Sequence, residues 1–363
     1  MSAQPLGRFT AAVAATEATP RRRRRVAPVA LALIVALCVT AFASLLLGQY
    51  SLSLPEILQS FGRRLGLVEA DPSMHLNDGA LWNVRIPRIM LGLLVGAALA
   101  TAGSITQGLF GNPLAEPGVI GITAGAGVGA AIAIVFGAAG TLTFLVPAAA
   151  FASGILTTML VWILAASIRG STTLVLVLVG ISINAVAGAA SSLVIFLADS
   201  TSREAIVFWQ LGSLNGSTWQ IFGPVAITVL IGLAWAMTLS RGLDSLAIGE
   251  RAAVHTGLSL RRFRIQAILC AALLTAGAVA AAGVIGFVGL IVPHLLRLLV
   301  GPRQSLILPL SALGGALLIA LSDLGARTLI PFTDLPIGVF TAVIGGPVFF
   351  ILLRTRLRRG GIA

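Results

Sequence analysis

The chain has 363 residues, 57% of them hydrophobic and 10% charged, with a formal net charge of +12. So apolar a balance, with a mean hydropathy of +1.02, cannot cover a water-soluble domain and sets most of the chain against lipid or other buried helices. All 24 basic residues are arginine; a P-loop needs a lysine on the nucleotide phosphates, so any ATP-hydrolysing engine must sit on another chain.

Residues 1–25, rich in alanine, threonine and arginine and ending in Arg21 to Arg25, read as a disordered basic tail. From Val26 onward, apolar stretches about 20 residues long recur, and the ten-residue alternation of an outer-membrane barrel is missing. The expected fold is therefore all-α, a polytopic membrane helical bundle of about ten transmembrane helices. It forms one transmembrane domain over 26–355, and 356–363 is a second basic tail. Ala41-Phe42-Ala43 has the look of a signal-peptidase site, but the apolar run continues through Leu47, which favours an uncleaved first span. Further spans are expected at 86–108, 118–138, 143–168, 172–197, 222–240, 260–283, 285–300, 304–329 and 336–354. The 285–300 stretch, short, glycine-rich and interrupted by Pro293, is weak enough to be partly re-entrant.

With the N-terminus inside, Arg21 to Arg25, Arg241, Arg251, Arg261, Arg262, Arg264 and the Arg354 to Arg359 cluster lie inside, against Arg63, Arg64, Arg85, Arg88, Arg203 and Arg327 outside. This positive-inside bias calls for an even number of spans with both termini cytoplasmic. It also accounts for the net charge without nucleic acid, since no aromatic platform interleaves the arginines. Three connections are long enough to hold structure: 49–84 and 198–221 outside, and 241–262 inside. Small residues four apart, as in Gly92/Gly96, Gly121/Gly125 and Gly125/Gly129, read as close helix packing in lipid. Cys38 and Cys270 fall inside spans and act as small apolar side chains without a redox or metal role.

Four segments exceed generic membrane composition. Arg85-Ile86-Pro87-Arg88 places two arginines around a helix-starting proline; they either anchor the helix in the headgroup layer or offer a positive patch to carboxylates of a soluble partner. Gly108 to Gly118, with Asn112, Pro113, Glu116 and Pro117, is either a plain loop or a broken helix beside a cavity. Asp244 to Leu258 mixes apolar and charged positions at helical spacing and stops at Gly257. It suits the inner membrane surface or a groove on a cytoplasmic partner. The fourth comprises Gly283 to Arg297, Ser322-Asp323 through Arg327, and Asp334-Leu335-Pro336-Ile337-Gly338.

The second and fourth segments closely resemble the FecCD family of permeases of ABC importers for ferric siderophores, haem and vitamin B12, over about residues 30–355. The resemblance implies the type II importer fold, in which two permease copies pair around a pathway, and a place in a bacterial cytoplasmic membrane. It further implies two cytoplasmic ATPases beneath and a substrate-binding protein delivering from outside, with no bond chemistry or cofactor on this chain. On it, Arg85, Arg88 and Arg327 correspond to outward arginines that receive the binding protein. The segment 244–258 corresponds to the coupling helices on the ATPase, through Asp244, Leu246, Gly249, Glu250 and Gly257. Ser171, Thr172 and Thr173 lie near the family's cytoplasmic gate. Asp334 stands where the family commonly has glutamate, keeping the charge with shorter reach. The segments Gly180 to Ala185 and Phe208 to Leu214, with Trp219, favour an iron chelate, haem or a siderophore, over vitamin B12. Of the histidines, His255 and His294 sit in family motifs, and His75 reads as a solvated loop residue. The rival reading, an ion-coupled secondary transporter, would need mid-membrane carboxylates; only Asp323 lies in a span, one turn from Arg327.

Overall fold

The computed structural model describes residues 25–69, 71, 74–137, 144–168, 172–330 and 333–359, all helices and connecting turns, with no strand among the described residues. In chain order the first six helices are α1 (Val26–Leu46), α2 (Leu54–Arg64), α3 (His75–Phe110), α4 (Ile122–Phe136), α5 (Leu145–Ser167) and α6 (Thr172–Leu197). They are followed by α7 (Ser200–Gln210), α8 (Trp219–Ile248), α9 (Glu250–His255), α10 (Leu260–Ala282), α11 (Val288–Val300), α12 (Gln304–Thr328) and α13 (Ile337–Arg359). Seven are long and apolar enough to cross a membrane, and α4, α11 and the Ile337–Ile351 part of α13 are shorter apolar helices. Together they supply the ten expected from hydropathy.

The bundle is organised on α3, whose apolar window is 78% buried against 11% for α1 and for α6. It packs along α12, α10, α8 and α11, and its run of Ala97, Ala98, Ala100, Ala102, Gly103 and Ser104 makes it a narrow rod. A methyl built on Gly96 would be driven into the carbonyl of Gly315 in α12, and one on Gly103 into that of Gly289 in α11. The Gly125/Gly129 pair does the same work in α4, where Thr157 and Ser153 of α5 occupy the space a side chain would need. The four-residue spacing thus marks helix packing.

Expected boundaries shift where the chain breaks. The 118–138 span opens with a 3₁₀ turn, Pro117–Ile120, and Gly121 at φ 88° before α4 begins. The 222–240 span grows into the 30-residue α8, because buried Leu239 and Leu243 continue its inward stripe. The α11 helix starts only at Val288, after Gly283 (φ 68°) and Phe287 (φ 69°). Its 13 residues rise about 20 Å, short of a hydrocarbon core about 30 Å thick. Residues 1–24 and 360–363 of the two expected tails lie outside the described residues, and α13 runs on through Arg359.

Replacing Gly103 by Ala should cost about 1–3 kcal/mol through overpacking, whereas Gly188→Ala in α6, with nothing within 4 Å of the added methyl, should be neutral or slightly stabilising. Thermal unfolding of the two detergent-solubilised variants checks this; equal melting points would mean α3 does not approach α11 this closely.

Candidate functional site

At one end of the bundle, after its first turn His75–Gly79, α3 passes through a wide π-type stretch over Ala80–Arg85, just before Pro87, which has no N–H to return to the preceding turn. Arg85 and Arg88 then lie one turn apart on the face toward α1 and α12. The Arg88 guanidinium reaches Asp323 Oδ1 at 2.8 Å and Asp334 Oδ2 at 2.8 Å, and Arg327 lies 3.3 Å from Asp323 Oδ2. Gln49 donates to Asp334 Oδ1 at 3.2 Å. Among the described residues Arg85 has no carboxylate partner; it donates to the carbonyls of Leu45, Leu46 and Tyr50, and Arg327 donates to the Ser44 carbonyl at 2.9 Å. Those of Ser44, Leu45 and Leu46 lie in the last turn of α1, where unpaired acceptors and the negative end of the helix dipole favour cations, and that of Tyr50 lies in the connection just beyond it.

The three arginines expected as outward groups are thus brought together, but they are only 5%, 8% and 6% exposed. Each is bonded within the chain, because two carboxylates and a helix end converge on them. At the surface above them are exposed Gln49 and half-buried Asp334.

At the opposite end, 244–258 folds as the last turn of α8, a break at Gly249 (φ 132°), α9, and a left-handed stop at Gly257 (φ 85°). Both conformations suit glycine; the stop at Gly257 is the one expected from sequence, and the break at Gly249 is additional. Leu246 packs against the core and Ala253 is buried, while Ile248 and Val254 are 78% and 52% exposed. Glu250 pairs with Arg264 of α10 at 2.5 Å, and Asp244 turns inward, its Oδ1 accepting the Gln304 N–H at the start of α12 at 2.6 Å. The expected gate residues are only partly in view: Ser171 and the side chain of Thr172 lie outside the described residues, and Thr173 is half-buried in the first turn of α6.

Between the two ends the second and fourth motifs meet. Glu116 Oε1 accepts the Phe287 N–H at 3.2 Å, the one described non-glycine residue with positive φ. Asn184 Nδ2 donates to the Gly118 carbonyl at 3.0 Å. Beside them a cavity of about 350 Å³ is walled by Thr123, Asn184, Ser191, Ser192, Gln210 and Val284. A larger cleft of about 640 Å³ opens between α7, α8 and α10, with Glu204, Phe208, Trp209, Ser213 and Asn215 in its walls. Sequence reasoning passed over Ser104, Gln107, Gln304 and the cavity-lining Ser191 and Ser192; Gln210 and Asn184, also in the cavity wall, fall in the two segments read as bearing on cargo. The signal was present, since amides and hydroxyls within apolar spans are placed there for contacts.

A bundle of ten apolar helices, with ion pairs buried at one end and a helical turn projecting from the other, is that of a multi-pass membrane permease. A model of the FecCD transport family matches residues 34–355, and the chain belongs to that family. It is 38% identical over 280 residues to the vitamin B12 import system permease protein BtuC of Vibrio cholerae, covering 77% of this chain and 83% of that one. It is 34% identical to the hemin transport system permease protein HmuU of Yersinia pestis, covering 78% and 87%, and 35% identical to the molybdate import system permease protein MolB of Haemophilus influenzae, covering 91% and 96%. A solved structure described as a metal-chelate type ABC transporter in an inward-facing conformation superposes with a TM-score of 0.79 at 33% identity, covering 90% of this chain and 98% of that one.

Removing one member of the buried cluster should be costly. Asp323→Ala leaves both Arg88 and Arg327 short of a partner and should destabilise by about 3–5 kcal/mol, and Asp334→Ala, at a more exposed carboxylate, by distinctly less. Chemical unfolding in detergent checks the order. At the cleft, Asp199 caps α7, and the Ser202 backbone N–H, then its hydroxyl, hold that carboxyl below the ordinary range. A lowered folded value means the cap is complete above about pH 4 to 5 and is lost as pH falls through the lowered value. Hydrogen exchange in the first turn of α7 should rise on acidification and in Asp199→Ala at neutral pH.

Proposed function

We propose that this chain is the permease subunit of an ABC importer, moving a metal chelate across a bacterial cytoplasmic membrane by alternating access with both termini inside. ATP is hydrolysed on separate subunits. The observation that carries the reading is the projecting turn 244–258 in a chain of this family: an exposed apolar pair, Ile248 and Val254, beside charged Glu250 and Arg251, suited to a groove on a cytoplasmic ATPase. Delivery comes from a binding protein at the Arg85 end, and a second permease copy completes the pathway. Ser171, Thr172 and Thr173 close it toward the cytoplasm.

The role of Arg85, Arg88 and Arg327 in docking takes a particular form here. With the guanidinium groups already paired, carboxylates of the binding protein would compete with Asp334 for Arg88, beneath the Gln49 rim. The proposed cargo is an iron chelate, haem or a ferric siderophore; the likeness to HmuU and to the metal-chelate transporter supports it, and the likeness to BtuC supports cobalamin as the alternative.

Ile248→Asp or Val254→Asp should lower ATPase co-purification at least about tenfold, equivalent to about 1.4 kcal/mol, without changing the melting point of the permease itself. Unchanged co-purification would sink the coupling assignment. For docking, Asp334→Asn should tighten binding-protein association by releasing Arg88; surface-immobilised complexes read this directly, and an unaltered dissociation constant rejects the competition. Uptake of radiolabelled iron as haemin or ferric hydroxamate, against labelled cyanocobalamin, in proteoliposomes of the full complex decides the cargo.

A further inference from the structure

We propose that Gln304 and Ser104 are positioning residues that carry force between the 244–258 turn and the rest of the bundle, by locking α8, α12 and α3 at one buried junction. The inference rests on the reading of 244–258 as the ATPase contact and adds the route beyond it.

A push on α9 meets two soft points, since it is six residues long and flanked by glycines at φ 132° and 85°. Motion passes into the bundle only where the root of the turn is fixed. Beside the apolar packing of Leu246 and Ala253, one polar attachment is the Arg264–Glu250 pair, whose carboxylate side chain is 59% exposed; pairs of that kind hold weakly. Another is partly buried and leads into a buried one. Asp244, one turn before Gly249, accepts the first N–H of α12 at 2.6 Å, a carboxylate at a helix N-terminus, which is a favourable and charge-assisted placement. The Gln304 side chain, in a residue 4% exposed, accepts from Ser104 Oγ of α3 at 2.9 Å, and Ser104 is fully buried. Gly108 makes room for the amide: a methyl there would stand 3.1 Å from Gln304 Nε2 and 3.2 Å from Leu243 Cδ2. Three helices therefore meet at one residue, Gln304, through its backbone N–H toward α8 and its side-chain amide toward α3. One turn further along α3, Gln107 donates to the Gly289 carbonyl at 2.9 Å and accepts from Arg297, which ties both ends of α11 to the same stretch.

From this junction α3 and α12 run antiparallel to the opposite end, where Arg88 and Asp323 join them again. A displacement at Asp244 is thus delivered to both rods, and a change in the arginine cluster returns along them. Signals should pass in either direction.

The test uses the purified complex of permease, ATPase and binding protein in lipid nanodiscs, with ATP hydrolysis measured with and without the binding protein. This readout needs no identified cargo. In Gln304→Leu and in Ser104→Ala the ATPase should co-purify at wild-type stoichiometry and basal hydrolysis should stay within about twofold. Stimulation by the binding protein should fall about tenfold. The double variant should lose no more than either single one, because both remove the same contact. Unchanged stimulation in both single variants overturns the route and leaves the assigned function standing. So does a parallel fall of basal and stimulated hydrolysis, or loss of assembly in both variants, either of which marks a purely structural contact. A wild-type complex that retains no ATPase overturns the reading of 244–258 and the route with it.

Discussion

The backbone approach of α3 to its neighbours is the constraint from which the rest of the structure follows. In lipid there is little hydrophobic gain when two helices associate, so contact must come from packing and polar bonds. Gly96 and Gly103, two turns apart on nearly one face, let α3 meet Gly315 of α12 and Gly289 of α11 at their carbonyls. Short polar side chains can span the gap only because the axes are this close. Ser104 reaches Gln304, and Gln107 reaches the first turn of α11. A bulkier α3 would leave the same hydroxyls and amides unpaired, which is the costlier outcome for a buried polar group.

At the far end of α3 the same closeness brings three guanidinium groups against two carboxylates. The pairing does not balance by side chains alone, and the remaining positive charge is met by the carbonyl end of α1. That solution has an architectural consequence. The α1 window is only 11% buried; Val26, Val29, Ala30 and Leu33 pack against the core along its first half, and charge fixes its other end. The cluster fixes where the first helix stops and where the 47–53 connection starts toward α2, whose first turn is capped by Glu56 accepting from the Ser53 N–H at 2.7 Å.

Much of this was legible in the sequence for reasons that can be traced to particular residues. Hydropathy found the ten apolar helices because each must bury or expose apolar surface over a length set by lipid. Boundaries were wrong where backbone conformation decides: nothing in the composition of 283–288 requires Phe287 to adopt φ 69°, a geometry imposed from outside by Glu116 and by Gly345, which leaves room for its ring. Arg85, Arg88 and Arg327 were recognised as a group across more than 200 residues of chain, but their burial was not. Exposure depends on Asp323 and Asp334 arriving from another helix and loop, and arginine composition carries no information on that. Gln304 was missed for the opposite reason: an isolated amide at a helix start reads as an interface residue until Asp244 and Ser104 are seen on either side.

The structure thus separates stiff members from broken ones. The α3 stretch from Arg85 to Gly108 is continuous and hydrogen-bonded, about 35 Å long at the α-helical rise, and α12 parallels it in the opposite sense; joined near both ends, the pair resists bending. The interrupted elements are elsewhere. The Pro117–Ile120 turn and the Gly283 to Phe287 connection flank the polar cavity at Thr123, Asn184 and Val284. Breaks in membrane helices are tolerated where their freed backbone groups face protein or a cavity, and here Asn184 and Glu116 satisfy them. A wall held by a few side-chain bonds can change shape at small cost, whereas a frame of unbroken helices cannot. Transport needs both properties in one chain, and glycine placement on α3, more than any charged residue, is what sets the frame.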